Sequence, residues 1–585
     1  ALALLAVLAA SALALWQARR AASEAALARA AQVFLTSVFD ASSPDTAAGA
    51  RVTARELLDR GRERIDTQLA DQPELRGEMQ VTLGTLYAQL GQYTEAESLL
   101  AAAHDTLATT DPVAATRAAL ERVAALRELG RLDQAERELA ATLPQARTSP
   151  ALQSRALVER AQLHEKQGRF DAALADARAA LRLDLAQGPS ARAEQARDRQ
   201  FEALMLARLA RIDEATTTFE RALADARSVY GDADTRVALM LNDYGAALTQ
   251  GGRSQEAETA LRQALEIRRQ RLGTDHPAVA ETQQVLGATL RPQGRYEEAR
   301  AALEDALRIQ RANFGSVHPM VANTLNSLGM LAFARRRPAD GEVAFREAIE
   351  IQRQLGQSDT PVAATMSTNL ATVLVQQGRY DEAEPLLQHA LELHRKAVGE
   401  QHPIVMSDLN SLSQLEVRRG HSERALDYGR RAVEIALSPA SPPREGAYVR
   451  VSWAITLNHA GQAQQALQEV DAAITTLKGI AADEPRLPVA LATRAEALLR
   501  LGRVDEAHAL ATTVLAEREQ HAPDDATMHA RLHALLAHIA DARGQGATAG
   551  REREAARRLV ATMTPADPFL VADIEQPLSR PTPGD

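Results

Sequence analysis

The chain has no cysteine. Disulfides, thiolate catalysis and Cys-ligated zinc are therefore excluded, and the redox state of its compartment is left open. Aromatic residues are 3% of the 585, and strand-forming runs are missing. There is no basic stripe, and the net charge is −10 with a pI near 5.9, so a nucleic-acid footprint is absent. Also missing are Gly-x-Ser-x-Gly, Gly-x-x-x-x-Gly-Lys-Ser/Thr, His-Glu-x-x-His, His-Arg-Asp and Asp-Phe-Gly. Without them the sequence offers no catalytic site, cofactor site or metal site.

What is present is alanine, leucine, arginine and glutamate, a composition that argues for helix throughout. At this length a single compact core is excluded, since such cores stop growing near ~250–300 residues. A punctuation mark, Gly-x-x-x-x-Ala, recurs instead. Its glycines or their equivalents are Gly91, Gly130, Gly168, Ala210, Gly252, Gly294, Arg336, Gly378, Gly420, Gly461, Gly502 and Gly544. From Ala210 to Gly420 every step is 42 residues, and the other steps lie between 38 and 42. A fixed period over this distance predicts one supersecondary unit stacked on copies of itself.

The unit around Gly294 shows the plan. Leu286-Gly287-x-x-Leu290 lies on a first helix that Gly294 ends, where a left-handed backbone suits glycine. Tyr296 opens a second helix, and Ala299, Leu303 and Ala306 share one face of it. Gly287 and Ala299 are small where the two helices approach. Pro292 should end the first helix early or kink it. Pro338, beside Arg336-Arg337, suits the first turn of a second helix.

This frame resembles the tetratricopeptide repeat, in the long variant of kinesin light chains and their bacterial relatives. The His-Pro links Asp275-His276-Pro277, Val317-His318-Pro319 and Gln401-His402-Pro403, with Asp359-Thr360-Pro361, belong to that variant. The resemblance implies an all-α, right-handed superhelical solenoid of about twelve helical hairpins over residues 76–548. Because the histidines recur once per unit, they do not converge on a metal ion. Ten residues before each turn glycine stand Asn242, Gln284, Asn326, Thr368 and Asn410. In resembling proteins the first helices line the concave face, so these five are the candidate peptide groove. Their amides and hydroxyls suit the backbone of an extended protein or peptide ligand.

Residues 1–16, ALALLAVLAASALALW, are uncharged. They read as a truncated transmembrane segment, about 24 Å of helix against a ~30 Å hydrocarbon core. A signal peptide cleaved near Ser11 and Ala12 is the rival. Residues 17–45 then form a juxtamembrane helix and linker, 46–75 a capping helix, and 549–585 a C-terminal helix and disordered tail. The order Gln17-Ala-Arg-Arg20, Phe34-Leu35-x-x-Val38-Phe39, Ala54-Arg55-Glu56-Leu57-Leu58-Asp59-Arg60-Gly61 and Gln72-Pro73-Glu74-Leu75 resembles the region after the kinase domain in bacterial transmembrane serine/threonine protein kinases. That resemblance implies a single-pass anchor with extracytoplasmic repeats, although Arg19 and Arg20 favour a cytoplasmic flank. The expected function is the interaction and sensor region of such a kinase. A free-standing anchored or exported scaffold and the repeat region of a nucleotide-switch regulator are the alternatives, and dimerisation is a further option.

Overall fold

A computed structural model describes residues 54–576, except 210, 439, 440, 442, 481–483, 564 and 565. Among the described residues there are 26 α-helices and no strand. In chain order they alternate as first and second helices of successive pairs. The chain divides into two compact units, with the boundary at Met205 and Leu206.

The first unit holds α1 (Ala54–Gln68), α2 (Pro73–Gln89), α3 (Tyr93–Leu107), α4 (Pro112–Glu128), α5 (Leu132–Ala146), α6 (Pro150–Lys166) and α7 (Phe170–Ala186). A 3-10 turn, Gly188–Ala191, leads into α8 (Arg192–Arg208), in which the boundary falls. One apolar cluster runs from Ile65 to Ala125 and the next from Leu120 to Leu163. Each cluster spans neighbouring hairpins only, as stacked repeats require.

The second unit continues with α9 (Ile212–Tyr230), α10 (Thr235–Gln250), α11 (Ser254–Leu272), α12 (Pro277–Leu290), α13 (Tyr296–Phe314), α14 (Pro319–Ala334), α15 (Pro338–Gln354), α16 (Pro361–Gln376), α17 (Tyr380–Val398), α18 (Pro403–Arg419) and α19 (Ser422–Ala436). It ends with α20 (Pro443–His459), α21 (Ala463–Ile480), α22 (Leu487–Arg500), α23 (Val504–His521), α24 (Ala526–Ala542), α25 (Gly546–Ala561) and α26 (Pro568–Glu575).

Local chemistry explains the hairpins. Gly294 adopts φ +73°, a backbone that only glycine takes without penalty. Pro292 lies in a 3-10 turn, Arg291–Gln293, that follows the end of α12 at Leu290. Within this hairpin Leu303 of α13 occupies the space that a side chain on Gly287 would need. A Cβ there would lie 2.6 Å from Leu303 Cγ and 3.2 Å from the Ala299 carbonyl oxygen. The same fit recurs between Gly245 and Leu261 and between Gly329 and Phe345.

The His-Pro links begin first helices in a specific way. The Nδ1 atoms of His276, His318 and His402 accept from the backbone N–H of Ala278, Met320 and Ile404 at 3.1, 3.2 and 3.2 Å. Each histidine thus caps a helix whose proline has no N–H to satisfy. Burial, and then His394, lower the His402 pKa, which favours the neutral ring that can accept.

Within the second unit, contacts also join elements about four and a half repeats apart. The Arg444 guanidinium lies over Gly252, Arg336 bonds Asp525 and Thr527, and Pro568 covers Gly378. In each case the end of a first helix meets the start of a much later one.

The expected membrane helix is corrected here. Among the described residues no helix is long and apolar enough to cross a membrane. The apolar first helix α14, for example, has 16 residues, about 24 Å at ~1.5 Å per residue. Residues 1–16, on which the transmembrane segment rested, lie outside the described residues. The single-pass anchoring and the extracytoplasmic placement of the repeats are therefore withdrawn. Residues 17–53, the tail 577–585 and Ala210 likewise lie outside the described residues.

Candidate functional site

The five expected groove residues stand on successive first helices, α10 to α18. Three of them bond across the seam to the next first helix. Thr324 Oγ1 donates to Gln284 Oε1 at 3.1 Å, and Asn369 Nδ2 donates to Asn326 Oδ1 at 3.0 Å. Thr368 Oγ1 donates to Asp408 Oδ1 at 3.0 Å. Asn242 is buried at 3% exposure, with an Oδ1 that lacks a partner. Asn410 is half-buried. The column therefore forms a polar ladder between repeats, and part of its bonding capacity is already used there.

A second polar register, which the sequence reading missed, lies where a second helix meets the next first helix. Arg268, Gln310, Gln352 and His394 repeat at 42-residue spacing and are all nearly fully buried. Arg268 Nη1 donates to Thr282 Oγ1 at 2.8 Å and to the Ala278 carbonyl at 2.6 Å. Thr324 Oγ1 lies 2.7 Å from the Gln310 side-chain amide. His394 Nδ1 lies 2.6 Å from Asp408 Oδ2, and its Nε2 lies 3.1 Å from the Pro361 carbonyl. Gln352 Oε1 has no partner, and Met366 stands where the register would put one. The signal available in the sequence was a polar residue sixteen positions after four consecutive turn residues, Gly252, Gly294, Arg336 and Gly378.

On the second helices, arginines at the turn tie repeats together. Arg295 Nη1 donates to both Glu258 oxygens at 2.7 Å, and Arg379 Nη1 to both Glu342 oxygens at 2.8 Å. Each also grips the glutamate three residues on, Glu298 or Glu382.

In the first unit a cleft of about 840 Å³ opens along α4, α6 and α8. Its wall includes Arg127 from α4, Arg155, Val158 and Glu159 from α6, and Asp198, Phe201 and Leu204 from α8. Glu159, 1% exposed, holds Arg127 at 2.5 Å and Arg155 at 2.9 Å. Asp184 of α7 accepts from Ser154 Oγ at 2.8 Å and from Gln187 Nε2 at 2.8 Å. Burial, and next to it the Asp184 carboxylate, push the Asp198 carboxyl up to about 8. Three consecutive first helices thus present a recess with polar groups fixed in place and an apolar side.

Comparison with known proteins agrees with this architecture. A tetratricopeptide repeat family model matches residues 201–270, 236–312, 278–354 and 362–438. A second model of the same repeat matches residues 120–192. Together they cover more than half of the chain, which belongs to the tetratricopeptide-repeat family. No curated protein matches it. Among solved structures the chain is similar to the APC/C hetero-tetramer Cut9-Hcn1, at 14% identity and a TM-score of 0.51. That likeness covers 89% of this chain and 94% of that one, and shows a shared fold. BtubC (BKLC) from P. vanneervenii is 21% identical over 39% of this chain and 90% of its own, with a TM-score of 0.33. The kinesin light chain TPR-like repeats of Podosopora anserina are 22% identical over 34% of this chain and 95% of their own, with a TM-score of 0.29. Tetratricopeptide arrays are suited to protein–protein interaction and scaffolding.

Proposed function

We propose that this chain is a protein-binding scaffold whose first helices receive an extended segment of a partner. The observation that carries the reading is the cleft along α4, α6 and α8, built from three successive repeats. Repeated elements at a constant rise suit a ligand backbone that also repeats. In the second unit, Gln284, Asn326 and Thr368 are already partnered across the seam, so the amide hydrogens of Gln284 and Asn326, with Asn410, are what that column offers a ligand.

The test is selection of peptides from a random library on the full chain. Enriched peptides should bind wild type and lose at least about tenfold in affinity, ~1.4 kcal/mol, with Phe201→Glu. Changing Gln284, Asn326 and Asn410 together to alanine asks the same of the column. Failure to enrich any peptide, or binding indifferent to both variants, would remove the groove reading.

A narrower reading makes the array the regulatory part of a serine/threonine protein kinase. It is supported by the order of motifs between Gln17 and Leu75. The encoding gene decides it: His-Arg-Asp and Asp-Phe-Gly motifs upstream in the same frame favour the kinase, and their absence leaves the scaffold.

A further inference from the structure

Asp184 and Asp198 break a rule that the rest of the molecule keeps. Among the described residues, the other carboxylates as deeply buried all face an arginine or, for Asp408, a histidine. Glu159 has Arg127 and Arg155, Asp176 has Arg160, and Glu258 has Arg295. Asp408 has His394, Glu416 has Arg424, and Glu484 has Arg444. Such pairing is expected, because an unpaired buried charge is costly. Asp184 and Asp198, 3% and 6% exposed, instead have each other. Asp184 is held by Ser154 and Gln187, but Asp198 Oδ2 has no partner at all.

Both residues line the cleft of the first unit. The charged groups around Asp198 are Asp184 from α7, Arg155 from α6, and Glu194 and Arg197 from its own helix. Neither arginine bonds Asp198: Arg155 Nη2 goes to Glu159 and Glu121, with its Nε unpartnered, and Arg197 goes to Glu194. Val158, Phe201 and Leu204 give the wall an apolar stretch among polar neighbours such as Gln162 and Gln200. A recess with two carboxylates at its base and hydrocarbon along its side matches a long amine, whose head carries three donors and one positive charge.

We propose that this cleft binds a primary ammonium group on an aliphatic stem, with the ammonium at Asp184 and Asp198 and the stem along Val158, Phe201 and Leu204. The inference rests on the groove reading and adds the chemistry of the ligand. A lysine side chain of a protein partner carries this group, and so does a free diamine. The ammonium takes the place of the proton that the acid pair otherwise holds. Binding therefore releases a proton and tightens as pH rises, up to the ordinary amine range near ~10.4.

Calorimetry on the full chain tests this with three probes: the peptide acetyl-Ala-Ala-Lys-Ala-Ala-amide, its norleucine counterpart, and cadaverine. The lysine peptide or cadaverine should bind, and the norleucine peptide should be weaker by at least about tenfold. Affinity should rise between about pH 6.5 and about pH 8.5, with proton release seen by changing the buffer's ionisation enthalpy. Asp198→Asn keeps the shape and matches the uncharged state of the protonated carboxyl, so it should fold; it should abolish both the binding and the proton release. Asp184→Asn gives a second variant with the same expectation. Binding of cadaverine alone assigns a free amine, and binding of the lysine peptide assigns a partner's side chain. No amine binding at millimolar concentration, or binding unchanged in both variants, overturns the proposal. Library peptides that bind the cleft without any lysine would overturn it too, while leaving the scaffold reading intact.

Discussion

His394 on α17 and Asp408 on α18 meet at 2.6 Å in a joint where each side chain is 1% exposed. The second ring nitrogen of His394 faces the Pro361 carbonyl at 3.1 Å and the Thr365 hydroxyl at 3.3 Å. Thr368 completes the group by donating to the other Asp408 oxygen. Two repeats are thus locked by one buried group of hydrogen bonds. Asp408→Ala would leave the buried His394 ring and the Thr368 hydroxyl without their shared acceptor, and a loss of about 1–3 kcal/mol is expected in chemical denaturation. Replacing both partners together, as His394→Leu with Asp408→Met, should cost far less. If the double variant is as unstable as the single, the pair is not what holds the joint.

Gly287→Ala should destabilise the hairpin of α12 and α13 by about 1–3 kcal/mol, because the new methyl meets Leu303 and the Ala299 carbonyl. Adding Leu303→Ala should recover part of the loss by making room. Stability equal to wild type for Gly287→Ala alone would show that the helices can separate freely.

Arg336 is the one residue other than glycine, among those described, with a positive φ, at +59°. That conformation costs an L-residue about 1–2 kcal/mol. Against it stands a half-exposed contact with Asp525 and Thr527, worth about 0–1 kcal/mol. Arg336→Gly should therefore leave global stability unchanged or slightly raised. Hydrogen exchange should nevertheless quicken at the start of α24, where the contact is lost. Unchanged exchange there would mean that Arg336 does not hold α24.

The acid pair gives a pH dependence with a definite sign. The raised Asp198 pKa means that the folded chain keeps a proton which the unfolded chain releases above ~4. Stability from this group is complete below that value and declines as pH rises towards about 8. Asp198→Asn removes the decline. Its melting temperature should exceed that of wild type by more at about pH 8.5 than at about pH 4.5, without ligand. An equal difference at both would show that Asp198 is ionised throughout.

The turn glycines were legible because their positions demand a backbone that other residues resist. Gly294 and its counterparts announce the period, the hairpin and the stacking together. Gly287 could be assigned to a close approach from its place in the frame. The polar column was legible as a column, but its cross-seam bonds were not. Thr324 reaching Gln284 depends on the stagger of two first helices, which a period alone does not set. Arg268, Gln310, Gln352 and His394 were not legible, since burial at those positions of a second helix comes from the following repeat. Asp198 lies where the period drifts and the frame is degenerate. The convergence of α7 and α8 on one cleft has no signature in spacing.

The contacts of Arg444 with Gly252, Arg336 with Asp525 and Pro568 with Gly378 change the mechanical character of the second unit. A helical array held only by adjacent repeats lengthens softly under tension, because a small rotation at every seam adds to a large extension. Here each brace ties one hairpin to another about four and a half repeats later, so early extension must first break ionic and apolar contacts. The second unit is accordingly a stiffened spring. A partner that loosens those braces would alter its compliance without unfolding a single hairpin.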